Sequence, residues 1–148
     1  MGVQAPVQER PDLGRAGGRG FEIAAGSDAV LVGSGPILLA QAVKASRLLA
    51  DKGVSLQVVN LPWLNRVDAD WVAGLAEGKR LLVTLDDHYL EGGQGEKVMA
   101  ALARAGVAIA SLNLGLAAVP PSGQPAEVLD RLGLDAAGIA KSVQAALA

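Results

Sequence analysis

The sequence predicts an α/β fold built on a mostly parallel sheet with helices on both faces. Three observations carry this. Strand-like and helix-like stretches alternate from about Phe21 to the end of the chain. Stretches such as Ala29-Val30-Leu31-Val32 and Leu81-Leu82-Val83 are continuously apolar, as strands covered on both faces are. Gly or Pro punctuates most junctions. Strands that alternate with helices form βαβ units, and their crossovers lay helices on the sheet.

Residues 1–20 carry Pro6, Pro11, the glycines Gly14, Gly17, Gly18 and Gly20, and the arginines Arg10, Arg15 and Arg19, without helical or strand period. They are expected to form a flexible tail or linker, with one domain over 21–148. Phe21 to Ala24 alternates apolar and polar residues and predicts a short strand. Ala29 to Val32 is the next strand, and its Gly33-Ser34-Gly35-Pro36 exit puts proline in the first turn of a helix, where a missing N–H costs nothing. From Ile37 to Leu49, Gln41, Lys44 and Arg47 recur three or four apart, which gives that helix one wet face. Gly53 ends it, and Val54 to Leu61 predicts a strand bounded by Pro62. Asp68 is placed to cap a short helix with Trp71, Val72 and Leu75 on its buried side. Arg80 to Leu85 is the third strand of this series, followed by a helix with Val98, Met99 and Leu102 inward that stops at Gly106. Val107 to Leu114 is the fourth. Pro125 then opens a helix with Val128, Leu129 and Leu132, Gly133-Leu134 has the form of a glycine cap, and Asp135 caps a last helix with Ile139, Val143 and Leu147.

A chain of 148 residues suits one core. It is 51% apolar and 19% charged, which argues for a compact body, and only 3% aromatic, so that core is aliphatic. The net charge of -2 supplies no field to attract a phosphate backbone, so nucleic acid is not an expected partner. Without cysteine there is no disulfide framework and no thiolate site; a cytoplasmic location is expected. The longest uncharged stretch, Ala105 to Ala126, contains Asn113, Gly115, Pro120, Pro121 and Gly123, so it is expected to be a strand and loop and not a membrane span.

Chemistry concentrates between Leu81 and Gly95. Ligands of open α/β sheets gather at the carboxyl ends of the strands, and three segments leave strands there: Gly33-Ser34-Gly35, Asn60 to Trp63, and Asp86-Asp87-His88 with the turn Gly92-Gly93-Gln94-Gly95. Gly33, Ser34 and Gly35 are anion-binding candidates, because a helix N-terminus offers free N–H groups. The dinucleotide fingerprint is incomplete, with Leu38 at its third glycine and Asn60 where an acid would hold a ribose. Asp86, Asp87, His88 and Glu91 could transfer protons or bind a metal, but no second histidine or nucleophile accompanies them and no metal is expected. An interface or hydrogen-bonding role for His88 is favoured over direct catalysis.

At these residues the sequence resembles the C-terminal domain of transketolase-like, thiamine diphosphate-dependent enzymes. The likeness runs from about Asp28 to Ala146 through Asp28-Ala-Val-Leu-Val-Gly-Ser-Gly, Val58-Val59-Asn60-Leu61-Pro62, Asp68, Thr84-Leu85-Asp86-Asp87-His88, Gly92-Gly93-Gln94-Gly95, Ser122-Gly123 and Gly133-Leu134-Asp135. Two departures stand out: Asp86 replaces the family's usual glutamate, and Arg66 lies where a proline is common. The resemblance implies a three-layer α/β/α domain with five strands, the first antiparallel. It also implies partner domains or subunits that bind the diphosphate, through Mg, and the aminopyrimidine; no catalytic residue or bound cofactor is expected on this chain alone. Asp86, Asp87, His88, Glu91, Gly92, Gly93 and Gly95 are then expected at an interface or the mouth of an active site, with a homodimer in view. The implied activity of the assembly is that of a transferase moving a two-carbon ketol unit between sugar phosphates. Beta subunits of 2-oxo acid dehydrogenases and deoxyxylulose phosphate synthases share this domain and stand as alternatives. A reading of another class is a free-standing small-anion or metal-binding module.

Overall fold

The computed structural model describes residues 17–148; most of the expected tail, 1–16, lies outside the described residues. Five strands and five helices follow in the order β1 (Phe21–Ala24), β2 (Ala29–Gly33), α1 (Pro36–Ala50), β3 (Leu56–Asn60), α2 (Ala69–Ala76), β4 (Leu81–Tyr89), α3 (Gln94–Arg104), β5 (Ser111–Leu116), α4 (Pro125–Leu132) and α5 (Ala136–Leu147). They form one sheet in the order β1-β3-β2-β4-β5. Only β1 runs antiparallel, along the β3 edge; the pairs β2 with β3, β2 with β4 and β4 with β5 are parallel.

Side chains of a strand alternate between faces, and the core divides accordingly. Leu31, Leu56, Val58, Leu81, Val83 and Leu85 meet α1 and α5 on one face. Val30, Val32, Val59 and Leu82 meet α2 and α3 on the other. The residues of β2 are all buried, which is why that strand lacks the alternation of a half-exposed one. Caps foreseen in the sequence form: Asp68 accepts from Trp71 N, Asp135 accepts from Gly138 N, and Gly133 takes φ 67° to end α4. Gln124 and Glu127 add a capping box at the start of α4. Gly17 to Gly20 lead into β1, and Asp68 N donates to Gly18 O while Arg19 Nε lies 2.9 Å from Asp68 Oδ2.

Three boundaries differ from the sequence reading, each for a hydrogen-bonding reason. β3 starts at Leu56 because Val54 N is taken by Leu49 O at the end of α1, and Ser55 N by the Asp28 side chain. β5 starts at Ser111, since Val107 N still closes α3 on Leu102 O. β4 continues past Leu85 to Tyr89, so Asp86, Asp87 and His88 lie on a strand and not in a loop. Its partner residues jump from Leu85↔Leu114 to Tyr89↔Leu116, which inserts an irregularity. The bulged backbone leans on Gly115, where a Cβ would stand 3.0 Å from His88 O.

Candidate functional site

The carboxyl ends of β2, β3 and β4 open into one cleft of about 490 Å³, lined by Ser34, Gly35, Leu64, Asn65, Asp86, Asp87, His88, Gly92, Gly93, Gln94 and Lys97. The switch point lies between β2, which crosses to β3 on one side, and β4 on the other. Its position follows from topology alone.

Asp86 is 4% exposed at the end of β4's buried run. Its Oδ1 accepts from Gln94 N at 2.8 Å and its Oδ2 from Gly95 N at 2.9 Å. These are N–H groups of the first turn of α3, whose N-cap is Gly93 and has no side chain to offer. The carboxylate therefore caps the helix from the neighbouring strand. Burial pushes the Asp86 carboxyl up from its ordinary value, while the N–H groups of Gly95 and Gln94 hold it back. Aspartate, although shorter than glutamate, reaches both N–H groups.

This capping requires bare backbone. A Cβ on Gly95 would come 2.5 Å from Thr84 Oγ1 and 2.8 Å from Asp86 Oδ2, and one on Gly93 2.8 Å from Tyr89 O. Gly92 turns the chain with φ 75°, and its N–H donates to Glu96 Oε2 at 2.9 Å. Gln94, also 4% exposed, donates through Nε2 to Leu61 O and Trp63 O, both at 2.8 Å. One side chain thus fixes the loop after β3 to the start of α3. Gln94 and Glu96 were not singled out in the sequence; a polar residue at a buried helical position after two glycines is the only signal Gln94 leaves.

The remaining residues divide. Asp87 and His88 are exposed and line the cleft. His88 Nδ1 donates to Tyr89 O at 2.8 Å and its ring stands edge-on to Tyr89, which leaves Nε2 as the acceptor nitrogen. Glu91 belongs elsewhere: with Tyr89, Leu90, Leu116 and Ala117 it lines a separate groove of about 450 Å³. Gly33 lies buried beneath the cleft, its carbonyl accepting from Leu61 N. Gly35 has φ 82° and precedes α1, which has no side-chain cap and no acidic residue in its first turn.

The site can hold polar groups in place. No three His, Asp or Glu side chains among the described residues gather as metal ligands. The α3 N-terminus, where a phosphate would otherwise find free N–H groups, is filled by the Asp86 carboxylate. These residues do not fit a metal-bound diphosphate. No described helix is long and apolar enough to cross a membrane.

Residues 18–139 match the family model described as "Transketolase, C-terminal domain". The 1-deoxy-D-xylulose-5-phosphate synthase of Syntrophotalea carbinolica is 34% identical over 128 residues, covering 86% of this chain and 20% of that enzyme. Transketolase-like protein 2 of Mus musculus is 34% identical over 115 residues, 77% of this chain and 18% of that protein. Among solved structures, one described as "Split gene transketolase, inactive beta4 tetramer" superposes with a TM-score of 0.80 at 29% identity, covering 88% of this chain and 42% of that one. A transketolase mutant from Pichia stipitis shares the fold, with a TM-score of 0.67 at 17% identity over 86% of this chain and 18% of that one. The chain thus spans about a fifth of the length of the curated relatives it matches.

Proposed function

The chain belongs to the transketolase C-terminal domain family, and from that premise we propose that it is the C-terminal module of a transketolase-type assembly. The assembly transfers a two-carbon ketol unit between sugar phosphates. Thiamine diphosphate and Mg are held by partner domains or subunits, one binding the diphosphate and one the aminopyrimidine, and this chain presents the cleft at the ends of β2, β3 and β4 toward them. Asp86 and Gln94 act as positioning residues for that rim, and Asp87, His88 and Lys97 are the groups a partner meets. The observation that carries this reading is the division of labour in the site. Its buried carboxylate is spent on capping α3, and its exposed groups surround an open cleft.

The relatives favour a second reading of the same kind, since several at 32–39% identity are 1-deoxy-D-xylulose-5-phosphate synthases. In that case the module is unchanged and the assembled enzyme makes deoxyxylulose phosphate.

Calorimetric titration of thiamine diphosphate and Mg tests the proposal, first on this chain alone and then with a chain carrying the two cofactor-binding domains. Binding is expected only in the mixture, together with a stable complex that His88→Ala weakens. Cofactor binding by this chain alone would overturn the division of labour. Binding of inorganic phosphate or a metal without any partner would favour the free-standing module. With the mixture in hand, activity toward a ketose phosphate donor separates the two enzyme readings.

A further inference from the structure

The flexible linker expected over 1–20 does not extend to its last four residues, because 17–20 lie flush against the loop that leads from β3 to α2. A Cβ on Gly18 would stand 2.8 Å from Asp68 N, and one on Gly20 would run into Asn60 O. Bare Cα atoms at both positions let backbone meet backbone. Asp68 N donates to Gly18 O at 2.9 Å, and Arg19 Nε lies 2.9 Å from Asp68 Oδ2. Asp68 thus has two duties: its Oδ1 caps α2 by accepting from Trp71 N, and its Oδ2 holds the chain that enters at Gly17.

The strapped loop is also a wall of the cleft. Residues 61–68 have neither helical nor strand structure, and Leu64 and Asn65 line the cleft. At one end Gln94 Nε2 holds Leu61 O and Trp63 O; at the other the strap holds Asp68. Between these ties Trp63 packs on the α2 side of the sheet. Its Nε1, like Asn60 Oδ1 beside it, is buried with no hydrogen-bond partner among the described residues. A buried donor without an acceptor favours any excursion that lets it meet water. The wall is therefore held by ties at its two ends against a pull at its middle.

We infer that residues 17–20 are a latched strap, with the Arg19–Asp68 pair as the latch, and that this latch governs how readily the cleft wall from Trp63 to Asn65 opens. Of the two ties, only this one is open to control from outside. Gln94 is 4% exposed, whereas the Arg19 side chain is half-exposed, so ions and neighbouring charges reach the pair. The chain before Gly17 is joined directly to the strap, so a displacement of that chain acts on the latch. From there it passes along the loop to Leu64 and Asn65, which couples the cleft to a point that does not line it. The inference concerns a motion of this chain by itself and stands apart from the ketol-transfer reading.

Solvent exchange of the buried Trp63 indole N–H, followed by NMR on the full chain without any partner, reads the opening of the wall. Arg19→Ala is expected to speed it by about two- to fivefold, the range a half-exposed ion pair supports. Asp68→Asn should do the same, because asparagine keeps the α2 cap and removes only the charge of the latch. The double variant should exchange no faster than either single one. In about 1 M NaCl, where screening acts beyond about 3 Å, the wild type is expected to approach Arg19→Ala, and Arg19→Ala to keep its rate. The Leu82 amide, bonded to Ala110 O within the sheet, should keep its rate in every variant. An unchanged Trp63 rate in Arg19→Ala, additive effects of the two substitutions, or an equal rise at Leu82 would overturn the inference. None of these results touches the cofactor titration with a partner chain.

Discussion

Two aspartates show how environment decides what one residue type does. Asp68 sits at the start of α2, where the N–H of Trp71 and then Arg19 hold its carboxyl below the ordinary value of 3.8. Asp86 is pushed above the same value, chiefly by burial. The consequences for stability have opposite signs. For Asp68 the contribution is present above pH 3.8 and is lost as pH falls through its lower folded value. For Asp86 the folded state carries the cost of a buried charge at neutral pH. As pH falls through its raised folded value toward 3.8, the folded state takes up the proton first, and the contribution grows. Urea midpoints of the wild type, Asp86→Asn and Asp68→Asn between about pH 7 and about pH 3 check this. The wild type should gain on Asp86→Asn as pH falls, and should lose against Asp68→Asn only below the ordinary carboxylate value. Parallel curves for wild type and Asp86→Asn would show that burial at this strand end carries no such cost. Both aspartates could be picked out in the sequence. Only Asp68 could be given its role there, because its partner lies three residues away, whereas Asp86 meets its partners across a bulged strand end and a turn.

At the scale of elements, the junction of β4 and α3 is closely packed. Asp86 caps the helix, Gln94 ties the loop after β3, and Thr84 and Gly95 fill the space between. Gly95→Ala should cost about 1–3 kcal/mol, because its methyl has only the Thr84 hydroxyl and the Asp86 carboxylate to displace. Gln94→Ala should cost about 1–3 kcal/mol by leaving two carbonyls without donors. Gly74→Ala, in α2 with nothing within 4 Å of the new methyl, should instead stabilise by about 0.4–1 kcal/mol. Chemical denaturation ranks the three. Hydrogen exchange should also show the loop of 61–65 opening faster in Gln94→Ala than in Gly95→Ala. Equal losses for Gly95→Ala and Gly74→Ala would refute the close-approach account. The glycine turn was legible as a turn; the requirement for a bare Cα at Gly95 was not, because it is set by atoms of another element.

For the whole molecule, the two-sided core around β2 is the main source of cohesion. Leu31→Ala, fully buried between β3 and β4 and beneath α1, should cost about 3–5 kcal/mol. Leu112→Ala, half-buried on the edge strand, should cost less than half as much, and thermal unfolding of both variants reads the difference. The sequence by itself determined the α/β class, the order of the elements, the helix caps and the carboxyl edge where the polar residues converge. These follow from local period, propensity and short-range capping, all of which act within a few residues of each other. The motifs from Asp28 to Asp135, taken together in their order and spacing, also sufficed for the family. Tertiary structure alone decided that Asp86 is a cap, that Glu91 lines a different groove from His88, that Gln94 is the tie between two loops, and that the uncharged run lies along an open sheet edge. Each of these depends on which distant segments the sheet order β1-β3-β2-β4-β5 brings side by side, and local pattern carries no record of that.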